Sequence, residues 1–140
     1  MIGVVSVIDR YDDKLLDHFS HPRNVGEIED ADGVGQIGDS TCGDMVKVWI
    51  KVADDRITDV KFRAFGCPAA IATSSAMTEL ALGKSLDEAA EITDEVVAHA
   101  VGGLSPDKMH CSNLSAAALY EAIMNYVVTS VERGRRKRVK

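Results

Sequence analysis

The stretch 46–65 restricts the fold more than any other part of the chain. Val46, Val48, Ile50 and Val52 alternate with Lys47, Trp49 and Lys51. Val60, Phe62 and Ala64 then alternate with Lys61, Arg63 and Phe65. A period of two puts apolar side chains on one face of a strand and polar ones on the other. Asp54-Asp55 reads as a turn between them. The short connection predicts an antiparallel hairpin. Its apolar face has to be covered by other elements.

The rest of the sequence supplies mainly helices. Residues 11–21 (YDDKLLDHFSH) have helical spacing at Tyr11, Leu15 and His18 or Phe19, and Pro22 ends the pattern. Residues 22–41 are rich in Gly, Asp and Pro and predict loop, with a strand near 34–39. Pro68 fits a first helical position, and AAIATSSAMTELAL continues to Gly83. Ser85 with Glu88 three residues on is a capping box. Residues 94–100 predict another helical piece, and Gly102-Gly103 and Pro106 break the chain. A last helix is expected over 111–131, with Ala116, Leu119, Ile123 and Val127 on one face. Strands followed by helices predict an α+β fold, a small antiparallel sheet covered by helices on one face. With no repeat or linker visible, residues 1–140 read as one domain, with a core at 11–131 and a basic tail at 132–140.

Composition narrows the class. A hydrophobic content of 46% in 140 residues suits one compact core. No uninterrupted apolar run approaches the roughly 18 residues that cross a membrane. MIGVVSVIDR lacks a basic start, so no signal peptide is read and a cytoplasmic protein is expected. The formal charge of −6 is unevenly spread, because residues 133–140 hold six of the sixteen basic residues. The acidic remainder argues against nucleic acid as the main partner. The tail itself reads as a solvated end or as a handle for an acidic protein or RNA. An odd count of three cysteines does not suit a disulfide framework.

Those cysteines fall at boundaries between elements. Cys42 lies in TCGD before the first strong strand, Cys67 in FGCP between strand and helix, and Cys111 in MHCS at the entrance to the last helix. Filler cysteines would favour the buried stripes. A thiol at a helix N-terminus is biased toward the thiolate, the form that binds metal or attacks sulfur. Gly43 and Gly66 remove bulk beside Cys42 and Cys67. Asp44 and His110 add a carboxylate and an imidazole, so the set suits an iron–sulfur cluster or zinc. No CxxC pair is present, and ligands drawn from three loops do not resemble a permanent cage. His18, His21 and His99 read as ordinary surface or core histidines.

At these residues the sequence resembles the iron–sulfur cluster assembly scaffolds of the IscU type and the N-terminal domain of NifU. The matching segments are HPRNVG (21–26), TCGDMVKVWIKV (41–52), KFRAFGCPAAIATSSAMTEL (61–80), GKSLDEA (83–89) and KMHCSNLSAAAL (108–119). The resemblance implies a three-stranded antiparallel sheet with helices, and cluster binding by Cys42, Cys67 and Cys111. It implies that Asp44 is a ligand or keeps the cluster transferable, that His110 flanks the last cysteine, and that Lys108 is auxiliary. It implies sulfur delivery as persulfide by a cysteine desulfurase, with Cys111 the first acceptor, and transfer of the cluster to apo-protein acceptors. A 2Fe–2S cluster on a monomer leaves its fourth ligand open. A homodimer pooling cysteines would hold 4Fe–4S.

Two departures from the family pattern stand out. Pro68 follows Cys67 where many members have Gly. Residues 104–108 read Leu-Ser-Pro-Asp-Lys where many have Leu-Pro-Pro-Val-Lys, the segment bound by an Hsp70-type chaperone. Ser105 and Asp107 therefore count against that chaperone. Two rivals share the residues. One is a structural zinc protein of the same fold. The other is an enzyme with a Cys nucleophile, a His base and an Asp orienter, disfavoured because adjacent residues such as His110 and Cys111 point apart at a helix start.

Overall fold

The structure, a computed structural model, describes residues 13–39, 43–104 and 109–139, with the backbone alone at 39, 110 and 134–139. The elements run α1 (Asp13–Ser20), β1 (Gly33–Asp39), β2 (Asp44–Ala53), β3 (Arg56–Phe65), α2 (Pro68–Ala81), α3 (Leu86–Ala90), α4 (Asp94–Ala100) and α5 (Met109–Val139). The strands form one antiparallel sheet in the order β1-β2-β3. The α+β expectation and the hairpin are therefore observed. Asp54 and Asp55 both have positive φ, 52° and 60°. That is the backbone of a tight primed turn, whose twist suits the strands it joins.

The inner face of the sheet carries the core. Val46, Val48, Ile50, Val60 and Phe62 pack with Met77 of α2 and Leu119, Ala122 and Ile123 of α5. Helix α5 lies directly on β1. A Cβ at Gly33 or Gly35 would strike the backbone of Ala118 or Ala122. Only glycine allows helix and strand to approach this closely. Helix α2 is buried nearly all round, including Thr73, Ser74, Ser75 and Thr78. Three of these hydroxyls donate back to their own helix: Thr73 to Ala69 O, Ser74 to Ala70 O and Thr78 to Ser75 O. A polar group tied in this way is buried without losing its hydrogen bond.

Two N-terminal pieces complete the layer. Asn24 and Gly26 bond to Phe62, adding a short parallel bridge to the free edge of β3. The chain then returns to β1, with Glu27 on Arg63 at 3.4 Å, Lys51 between Asp30 and Asp32, and Asp32 N bonded to Ile50 O. Helix α1 docks on α2 through Leu15 and His18, both buried. His18 Nδ1 lies 2.8 Å from Ser75 Oγ, which also accepts the Arg23 N–H. His18 Nε2 faces Glu79 at 3.4 Å. Burial, helped by Arg23, holds the His18 pKa below the ordinary histidine value, against the pull of Glu79.

Two expectations about the last helix need correction. It runs on to Val139 instead of stopping at 131. Val127, expected on the buried face, is 37% exposed. The helical period holds, but among the described side chains Ile123 is the last one buried, and Tyr126 beyond it is only partly buried against the core. In addition, Cys111–Arg133 is long and apolar enough to cross a membrane by length and composition. The search for an uninterrupted run missed this because Glu121 and Asn125 divide the stretch. Its inner face is nevertheless committed to the sheet.

Candidate functional site

Cys67 and Cys111 meet where two helices begin. Cys67 is the N-cap of α2, with extended backbone (φ −71°, ψ 168°) and Pro68 in the first helical turn. Proline fits this first helical position, where its missing N–H costs nothing. Cys111 is the third residue of α5. Their Sγ atoms are 3.3 Å apart, both as thiols. One metal ion held tetrahedrally at about 2.3 Å from each sulfur would set them roughly 3.8 Å apart. An opening of about half an ångström therefore converts the pair into a chelate.

Depth separates the two. Cys67 is half-buried, whereas Cys111 has 0% exposure. Cys111 sits among Leu15 of α1, Ala69, Ala70, Ala72 and Ala76 of α2, and Val101. Thr73 Oγ1, besides bonding its own helix, lies 3.3 Å from the Cys111 carbonyl and ties the two helix starts together. Leu15 and Thr73 escaped the sequence reading. Leu15 looked like one more helical apolar residue, and the first polar residue of TSSAMT (73–78) gives no sign of facing a cysteine.

The carboxylate belongs to the same place. Asp44 opens β2 and Met45 pairs with Phe65, which brings Asp44 against Gly66. A Cβ on Gly66 would collide with Asp44 Oδ1. Gly66 also has φ +145°, which side chains rarely adopt. The glycine before Cys67 thus gives the Asp44 carboxylate its position, a more specific role than the clearance expected of it. Gly43, at φ +86°, faces open space beside Cys42.

Other expected ligands are not placed. Cys42 and Lys108 lie outside the described residues, and of His110 only the backbone, in the first turn of α5, is described. Among the described residues, no group of three or more His, Cys, Asp or Glu side chains is arranged to hold a metal ion. Ser105 and Asp107, which count against the chaperone, likewise lie outside them. His18 is a buried, hydrogen-bonded histidine, as expected, and His21 and His99 are exposed.

What the site can do follows from its donors. Two soft sulfurs and one hard carboxylate suit iron or zinc, with the carboxylate the weaker partner for a cluster. Comparison with known proteins gives the same direction. Residues 10–133 match the NifU-like N terminal domain. The iron–sulfur cluster assembly scaffold protein IscU 1 of Archaeoglobus fulgidus is 60% identical over 116 residues, which cover 83% of this chain and 76% of that protein. The IscU scaffold protein of Aquifex aeolicus is 48% identical over 120 residues, covering 84% and 76%. The nitrogen fixation protein NifU of Azospirillum brasilense is 45% identical, but the match spans only 39% of its length. In fold, the crystal structure of a NifU-like N-terminal protein from Brucella abortus superposes with a TM-score of 0.68 at 21% identity, over 87% of this chain and 97% of that one. The chain therefore belongs to the NifU-like N-terminal domain family, that of the IscU iron–sulfur cluster assembly scaffolds.

Proposed function

We propose that this chain is a scaffold on which iron–sulfur clusters are assembled and from which they pass to apo-protein acceptors, not an enzyme. The observation that carries the reading is the approach of Cys67 and Cys111 to 3.3 Å at two helix starts, with the Asp44 carboxylate fixed against Gly66. Cys42 is the third sulfur ligand, Asp44 and His110 compete for the fourth place, and Lys108 is auxiliary. Three thiol ligands need a reducing compartment, which keeps the cytoplasmic reading. The working unit is the single domain 1–140.

Sulfur arrives from a cysteine desulfurase as a persulfide. The Cys111 thiolate attacks the outer sulfur, a new S–S bond forms on Cys111, and the donor's thiolate leaves. Because Cys111 is fully buried, in a cluster that includes Leu15 of α1, the packing around it has to open before the donor reaches it. An external two-electron donor reduces the outer sulfur to sulfide and returns Cys111 to the thiolate, and iron and that sulfide then join between the cysteines, as 2Fe–2S on one chain or 4Fe–4S on cysteines from two. Zinc occupies the same donors as a substitute. The sequence at 104–108 argues against a dedicated Hsp70-type chaperone.

Anaerobic reconstitution with iron and sulfide tests this. A visible absorption band and a Mössbauer spectrum of cluster iron are expected, and both should vanish in Cys67→Ala. Asp44→Ala should retain the cluster longer against an apo-acceptor, by roughly tenfold or more, because the poorest ligand has gone. A colourless protein that keeps zinc against chelators would establish the zinc reading instead.

A further inference from the structure

Helix α5 carries a second apolar face that is exposed among the described residues. Tyr120, Met124, Val127, Val128 and Val131 are 37–51% exposed. Tyr120, Met124, Val127 and Val131 follow one another at intervals of four, three and four. That is the spacing of a coiled-coil seam. The stripe covers about 16 Å of helix. Single apolar residues on a surface need no explanation, whereas an aligned stripe does. Beyond it, residues 133–140 carry six of the sixteen basic residues and none of the twenty-two acidic ones. The preceding part therefore holds ten basic against twenty-two acidic residues.

We propose that this stripe is the interface of an antiparallel homodimer, α5 against α5 of a second copy. Charge selects both occupant and direction. Parallel helices would set two strongly basic ends side by side. Antiparallel helices separate the two basic ends and lay each along residues 111–118 of the other copy's α5, which carry no acidic side chain themselves but belong to a body that is acidic overall. The arrangement is isologous and closes on itself, as a stable dimer requires.

The geometry has a consequence for the cysteines. The centre of the seam falls between Met124 and Val127. Each Cys111 then lies about 22 Å along the axis from the centre, on opposite sides, so the two are roughly 43 Å apart. This dimer cannot pool cysteines into one cluster. Each chain in it holds its own cargo, and a shared 4Fe–4S cluster needs a different interface.

The test uses the full-length protein with reductant and no added iron or sulfide, so it is independent of the scaffold reading. Sedimentation equilibrium at 50 mM salt should give twice the 15.1 kDa chain mass, with dissociation at least tenfold easier at 500 mM. Met124→Lys with Val131→Lys should give monomer at both salts. Both residues are exposed, and circular dichroism confirms that the variant is folded. Arg135→Glu with Arg136→Glu should weaken the dimer at low salt only. Spin labels carried by an unnatural ketone residue at Asn113 should lie about 40 Å apart. A monomer at 50 mM salt, a dimer indifferent to the lysines, or a label distance near 10 Å overturns the proposal. So does capture of the stripe by anionic vesicles or by RNA in place of the second copy.

Discussion

Gly66 shows how one missing side chain fixes another residue. Its Cβ position is taken by the Asp44 carboxylate, and its φ of +145° excludes most side chains. Gly66→Ala should cost about 1–3 kcal/mol in a urea titration, from overpacking and backbone strain together. The same variant should change cluster retention, since Asp44 has to move. His18 supplies a second residue-scale outcome. Its folded pKa lies below the ordinary 6.5 because the ring is buried. The unfolded chain therefore binds the proton more readily. Stability from this group is fully present above pH 6.5 and is lost as pH falls from there through the depressed folded value. The urea midpoint should decline in that window, and His18→Gln should flatten the decline. Cys67 and Cys111 were legible in the sequence because they stand at chain punctuation. Thr73 was not, since its contact with the Cys111 carbonyl depends on two helices far apart in sequence.

At the scale of elements, the sheet and its helices meet where side chains are absent. Gly35→Ala would drive a methyl into the backbone of Ala118 and Ala122. Backbone cannot rotate away as a flexible side chain can, so a loss at the upper end of about 1–3 kcal/mol is expected in chemical denaturation. Ser85 offers a milder contrast. Its hydroxyl accepts the Glu88 N–H while Glu88 reaches back to the Ser85 N–H. Ser85→Ala should therefore cost about 1 kcal/mol. The hairpin and this capping box were readable because each is encoded within a few residues. The full extent of α5 was not. Arg and Lys in the tail are good helix formers, but they carry no apolar period from which a boundary could be drawn. The exposure of Val127 was equally hidden, because it depends on where the core beneath the helix ends.

At the scale of the whole molecule, one buried cluster joins the first described helix to the site. Leu15 anchors α1 in the cluster that also holds Ala69, Ala72, Val101 and Cys111. Leu15→Ala should destabilise the domain by about 2–5 kcal/mol. Iodoacetamide should then modify Cys111 faster than in the parent chain, relative to Cys67, in a peptide map. The fold class and the three cysteines came from the sequence and from family resemblance. The burial of one sulfur in a cluster with a residue nearly a hundred positions earlier did not, because only tertiary packing brings them together. Helix α5 carries a last consequence. It runs unbroken as a helix, yet among the described side chains its inner face is buried only as far as Ile123. In the monomeric Met124→Lys, Val131→Lys variant, amide protons near Leu119 should exchange with solvent only when the domain opens globally, while those at 127–133 should exchange by local fraying, orders of magnitude sooner. One continuous rod in space is thus two objects in time, and hydrogen exchange should locate the seam between them within a turn or so of Tyr126.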